Sequence, residues 1–116
     1  MQYVKEISET ILHNGKIIGH MMIFLVLSNN YRDYDYAYIW DFEIYKPFRN
    51  KGYGTHALLE VVYKYGRVYI FPSNQNSERL YKRLGRMITF DECPDVLKTA
   101  YQECGAGYVI INRRKK

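Results

Sequence analysis

Only two cysteines occur among the 116 residues, Cys93 and Cys104, and neither stands at metal-ligand spacing from His13, His20 or His56. No metal site and no disulfide framework is therefore expected, and both cysteines read as reduced thiols of a cytoplasmic protein. No apolar run reaches membrane-spanning length. The greasiest stretch, residues 17–27, is interrupted by Gly19 and His20. The opening residues, Met1-Gln2-Tyr3-Val4-Lys5-Glu6, lack a signal-peptide layout. Repeats and linkers are also missing, so residues 1–116 are read as one domain.

What is present is a basic chain, with a formal net charge of +5. Such a balance suits nucleic acid, an acidic small molecule or simple solubility. The cluster Arg113-Arg114-Lys115-Lys116 reads as a solvated end. Thirteen tyrosines are present, several of them within residues 31–38, where they fit strand propensity.

The periodicity changes halfway along. Residues 4–13 and 16–27 read as strands joined by the hairpin turn Asn14-Gly15, residues 28–35 as a loop, and residues 36–45 as a third strand. Ala57, Leu58, Val61, Val62 and Tyr65 then recur at helical spacing over residues 55–65, and Gly66 ends the helix. Residues 68–71 form a short apolar strand, so the crossover from the third strand makes a parallel βαβ unit. A helix over 77–84 with Asn74 or Asn76 as its cap, a strand over 87–90, a helix over 94–101 and a strand over 108–112 complete the pattern. The expected fold is α+β: a mixed, mostly antiparallel sheet with a central parallel pair and helices on its faces.

The junction between the third strand and the first helix carries the most chemical information. It reads Arg49-Asn50-Lys51-Gly52-Tyr53-Gly54-Thr55. Two glycines one residue apart permit a tight turn and close backbone approach. A helix start leaves N–H groups unpaired and partly positive, which suits phosphate, and Arg49 and Lys51 add full charges. The segment Gly52-Tyr53-Gly54-Thr55-His56-Ala57 also fits a dinucleotide-binding pattern. That pattern, however, requires a carboxylate after the next strand, where Pro72-Ser73-Asn74 stand instead.

Two blocks in register resemble the GCN5-related N-acetyltransferases. Arg49-x-x-Gly52-x-Gly54 is similar to that family's acetyl-coenzyme A signature, and Asn74-x-x-Ser77-x-x-Leu80-Tyr81-x-x-Leu84-Gly85 to the block that follows its next strand. The resemblance covers residues 38–90 well and reaches more loosely back to Lys16. It implies acetyl-CoA as cosubstrate and a primary amine as acceptor. The pyrophosphate would lie on Arg49, Asn50, Lys51, Gly52, Tyr53, Gly54 and Thr55. The pantetheine arm would pair along Phe42, Glu43 and Ile44, with Asn74 and Ser77 on its far side. Tyr81 would protonate the leaving thiolate, as a phenol protonated at neutral pH is able to do. A backbone N–H near residues 42–44 would hold the oxyanion.

The general base is left between Glu43, which is narrowly preferred, and Asp41. Both alternate with Trp40, Phe42 and Ile44 and so share a face if the strand is regular; a bulge would reset that alternation. The three histidines read as lone and structural. Arg86 stands where the family usually has an aromatic. The family's helices between its first two strands are replaced here by Asn14-Gly15. That implies an open acceptor site: a protein or peptide amine is favoured, or a second subunit in a homodimer supplies the wall. A non-catalytic acyl-CoA-binding module is the alternative. Nucleic-acid binding through Arg79, Lys82, Arg83, Arg86 and the tail has no aromatic-interleaved motif behind it.

Overall fold

Asn14 and Gly15 both take positive φ, 52° and 75°. Two such residues make the tight hairpin turn whose twist suits antiparallel strands. They join β1 (Tyr3–His13) to β2 (Lys16–Leu27). The computed structural model describes residues 3–27 and 34–112. Most of the expected loop, residues 28–33, and the basic cluster 113–116 lie outside the described residues.

The third strand, β3 (Tyr34–Ile44), begins two residues before the expected position and ends one before it. A 3-10 turn over Lys46–Phe48 follows it, with Pro47 inside. The next elements are α1 (Tyr53–Tyr65), β4 (Arg67–Ile70), α2 (Gln75–Leu84) and β5 (Arg86–Ile88). The helix expected over 94–101 is a 3-10 turn at Asp95–Leu97 leading into α3 (Lys98–Cys104); β6 (Gly107–Ile111) comes last. Gly105 takes φ 78° and stops α3 three residues later than expected.

The six strands lie in the order β1-β2-β3-β4-β6-β5. Among the described residues only the β3–β4 pair is parallel, across the α1 crossover; the other four pairs are antiparallel. This is the mixed α+β architecture that the periodicities imply. β6 lies between β4 and β5, so β5 joins the sheet through a strand that follows it in sequence.

α1 buries Ala57, Leu58, Val61 and Val62 against one face of the sheet. Met21, Ile23, Ile39, Val68, Ile70 and Tyr108 meet them there, and Tyr65 packs at the margin. Each fully buried aliphatic of this kind contributes roughly 1.5–3 kcal/mol. The opposite face carries a second cluster in which Val26, Tyr36, Tyr69, Ile88 and Val109 meet Cys93 and Leu97. Cys93 is buried, Cys104 is exposed, and both are free. Among the described residues no helix is long and apolar enough to cross a membrane.

Candidate active site

The site begins with one extra residue in β3. Ile23 pairs with Ile39 but Met22 pairs with Asp41, so Trp40 is a bulge. Ile39 and Phe42, three residues apart, consequently pack into the same core beneath α1. Trp40 turns to the other face and stacks on Phe24, with ring centroids 5.6 Å apart. Asp41 and Glu43 do share a face, the one away from α1. Trp40 does not share a face with Phe42 and Ile44, because the bulge resets the alternation between them.

Pairing of β3 with β4 ends at Ile39 and Ile70. Beyond that point residues 41–44 pair only with β2 among the described strands, and Trp40 is left unpaired. The Tyr45 N–H is donated to Ile18 O at 2.8 Å. By alternation, the backbone groups of Phe42 and Ile44 point away from β2 and into the gap beside β4. Arg49 Nε donates to the Ile44 carbonyl at 2.6 Å. Across the gap stands Gly54. A Cβ built there would lie 3.6 Å from the Phe42 ring, 3.7 Å from the Ile44 side chain and 3.8 Å from Leu80. A free strand edge, a helix start and α2 thus converge on one narrow space.

The turn entering α1 contains two left-handed residues, Asn50 at φ 64° and Gly52 at φ 84°. Gly52 is the N-cap, and the first helical bond runs from His56 N–H to Gly52 O at 3.1 Å. The helix therefore starts at Tyr53 rather than Thr55. Tyr53, Gly54 and Thr55 form its first turn, where N–H groups lack helical acceptors and attract an anion. Lys51 is exposed on the turn. Arg49 leans back toward β3, with Nη2 3.4 Å from Glu43.

A further cation arrives from α2. Arg83 Nη2 donates to Thr55 Oγ1 at 2.9 Å. In the sequence Arg83 stands only among the basic residues weighed for nucleic acid, and its contact depends on how α1 and α2 approach each other. No local pattern encodes that approach. Arg86 takes another role: it pairs with Glu92 at 3.1 Å, while the same carboxylate accepts the Thr89 N–H at 2.9 Å. It fastens the turn after β5 rather than facing the glycine turn.

Asn74 caps α2, as the sequence suggests, through a reciprocal box. Asn74 Oδ1 accepts from Ser77 N–H at 2.8 Å, and Ser77 Oγ receives the Asn74 N–H at 3.3 Å. One turn on, Tyr81 is 4% exposed. Burial pushes its phenol up to about 12, although a hydrogen bond with Ser77 pulls the other way. Beneath it lies Tyr108, with ring centroids 6.3 Å apart; its hydroxyl donates to Glu78 Oε2 at 2.7 Å.

The histidines are not all alone. His20 Nε2 lies 3.0 Å from Asp41 Oδ2, and His20 Nδ1 lies 3.3 Å from the Tyr45 hydroxyl. The sequence separation of 21 and 25 residues hides this cluster. Only the β2–β3 register brings it together. His56 reaches Glu60 at 3.5 Å, and His13 packs at a tilt of 39° against Tyr53 with centroids 4.4 Å apart.

A bulged strand thus parts from its parallel neighbour beside a basic glycine turn. The chain belongs to the acetyltransferase (GNAT) family, whose sequence model matches residues 4–85. No curated protein matches the sequence. The fold is similar to N-acetylglutamate synthase from Neisseria gonorrhoeae in complex with coenzyme A and N-acetyl-glutamate (TM-score 0.66, 18% identity), covering 91% of this chain and 26% of that one. The same enzyme with coenzyme A and L-arginine gives a TM-score of 0.68 at 18% identity, covering 92% and 25%. The chain thus spans about a quarter of the length of these structural neighbours. Family membership makes acetyl-CoA the cosubstrate.

Proposed function

We propose that this chain transfers the acetyl group of acetyl-CoA to a primary amine carried by a protein or peptide. The carrying observation is the edge formed by Phe42 and the Ile44 N–H beyond the Trp40 bulge, beside the N-terminus of α1 and the space at Gly54; the Ile44 carbonyl on that edge is held by Arg49. An extended pantetheine arm has hydrogen-bonding partners along such an edge, and its pyrophosphate has N–H groups from residues 49–55. Asn74 and Ser77 border the arm from α2 while also capping that helix.

Holding the thioester beside the amine removes much of the entropic barrier, up to ~7–11 kcal/mol in the best cases. Tyr81 supplies the proton for the departing thiolate, since its raised pKa keeps it protonated through neutral pH. The acidic residues Asp41 and Glu43 draw an ammonium toward the face away from α1. Glu43 is tied to Arg49, whereas Asp41 is tied to His20.

The macromolecular acceptor is supported by the open face around Trp40, which is 44% exposed. On that side the cluster around Leu97 takes in Val26 near the end of β2, whereas Trp40 and Phe24 stack outside it. The neighbouring synthase is named for a small amino acid, so glutamate belongs among the acceptors compared. The test measures thiol release from acetyl-CoA with a lysine-containing peptide, an intact protein, a polyamine and glutamate. Turnover with the peptide or protein exceeding that with the small amines supports the reading. Preference for glutamate or the polyamine refutes the acceptor class, and coenzyme A binding without turnover leaves a binding module.

A further inference from the structure

His20 stands in a line of three side chains that flanks the stretch of β3 used by the cosubstrate. Asp41, two residues before Glu43, holds its Nε2 at 3.0 Å. Tyr45, one residue after Ile44, meets its Nδ1 at 3.3 Å. The line lies on the face away from α1, the side from which an acceptor has access. The His20 and Asp41 side chains are 34% and 46% exposed, so water and substrate reach them.

The geometry dictates the protons. Ionised Asp41 only accepts, so Nε2 of neutral His20 carries the hydrogen and donates it. Nδ1 then has a lone pair, and the Tyr45 hydroxyl donates to it. A tyrosine hydroxyl both donates and accepts, so when His20 gains a proton at Nδ1 the same contact survives with its direction reversed. The line is therefore satisfied in both charge states of His20, which is what a proton acceptor requires. The other groups around the ring fit this role. β3 adds Glu43, opposite His20 and engaged by Arg49; β1 places the uncharged Thr10 opposite His20.

We propose that the Tyr45–His20–Asp41 line is the proton relay that deprotonates the amine acceptor, with His20 as its sink. This rests on the amine acetyltransferase reading. The ammonium gives one proton to the Tyr45 oxygen, directly or through one water, as the Tyr45 hydroxyl proton passes to His20 Nδ1. His20 becomes imidazolium, its charge balanced by Asp41. The freed nitrogen lone pair attacks the thioester carbonyl carbon, and the N–C bond forms. The tetrahedral intermediate collapses, the C–S bond breaks, and the thiolate takes a proton from Tyr81. The nitrogen's second surplus proton restores Tyr81 through solvent, and His20 releases its own to water. The products are an amide, coenzyme A thiol and one proton.

The experiment uses the full chain with acetyl-CoA and the four acceptors named above, following thiol release from pH 5 to 9, with coenzyme A binding measured calorimetrically in parallel. For any acceptor that turns over, the wild-type rate falls on the acid side, as a relay that must start unprotonated requires. His20→Gln and Tyr45→Phe lower kcat on the order of 10²–10⁴-fold and flatten that limb while coenzyme A affinity holds. Asp41→Asn lowers kcat while the KM for the acceptor holds, because the imidazolium formed during transfer loses the carboxylate that balances its charge. A purely structural role for Asp41 would not split kcat from KM in this way. His56→Gln, which removes an exposed histidine on α1, leaves the limb in place. If the wild type turns over and His20→Gln keeps both its rate and its acid limb, the relay is wrong and the acetyltransferase reading stands. If the wild type binds coenzyme A yet acetylates none of the acceptors, the acetyltransferase reading falls and the relay falls with it.

Discussion

Arg83 Nη2 lies 2.9 Å from Thr55 Oγ1, so a guanidinium from the second helix is held over the first turn of the first helix. Thr55 is one of the residues whose N–H groups face the pyrophosphate in the proposed function. A planar, permanently charged fork in that position is suited to phosphate oxygens. Arg83→Gln is expected to weaken coenzyme A binding by about tenfold, the loss of one charge-assisted hydrogen bond. The exposed pair contributes little to the fold, so the melting temperature of the free protein stays nearly unchanged. Calorimetric titration at low and high salt checks both points. An affinity within twofold of wild type would place Arg83 outside the phosphate site.

Gly54 separates the fold from the ligand. A Cβ there makes only ordinary contacts, 3.6–3.8 Å from Phe42, Ile44 and Leu80. Gly54→Ala should leave the free protein as stable or raise it by about 0.5–1 kcal/mol, since alanine favours a helix. Gly54→Val fills the space between β3 and α2 and is expected to abolish the thermal shift produced by coenzyme A. For wild type, that stabilisation is ~2.7 kcal/mol at about 100 times Kd. A Gly54→Val protein that keeps the full shift would move the arm elsewhere.

Tyr81→Phe retains the ring and removes the acid. With chemistry rate-limiting, kcat should fall on the order of 10²–10⁴-fold while coenzyme A affinity holds. Because burial pushes this phenol up to about 12, no loss of kcat from its ionisation is expected between pH 8 and 10. A kcat unchanged in Tyr81→Phe would remove the assignment.

Alkaline stability depends on buried phenols, Tyr81 and Tyr108 among them; burial raises Tyr36 and Tyr38 as well. Burial pushes both Tyr81 and Tyr108 up to about 12, and the Glu78 carboxylate adds to the effect at Tyr108. The unfolded chain ionises them near pH 10, so from about 10 to 12 the folded state holds more protons than the unfolded one. Their contribution is complete below pH 10 and is lost as pH rises toward 12, by up to ~1.4 kcal/mol per pH unit for each. Denaturant midpoints measured from pH 8 to 11.5 should be flat and then fall. Tyr81→Phe should make the decline shallower. An unchanged slope would mean that Tyr81 is not buried in solution.

Much of the fold is legible in local pattern. Asn14-Gly15 announces the hairpin, the spacing of Ala57, Leu58, Val61 and Val62 announces α1, and Asn74 announces the cap of α2. The glycine turn is legible because its chemistry is contiguous in sequence. The cluster around His20 is not, because it depends on β2–β3 register and a bulge at Trp40 that no composition signals. Arg83 is hidden for a similar reason: its partner comes from another helix. Element ends shift by one to three residues where a 3-10 turn or a left-handed residue, such as Gly52 or Gly105, sets the boundary.

The place of β6 bears on how far this enzyme can be cut down. The family-matched segment, residues 4–85, contains every residue assigned to the cosubstrate, yet it stops short of the strand that closes the outer edge of β4. Residues 107–111 supply that closure, and Tyr108 within them lies beneath Tyr81. A fragment ending at Gly85 would expose the β4 edge and leave the phenol without its floor. The smallest working unit of this chain therefore extends through Ile111, beyond the boundary that the motifs alone would draw.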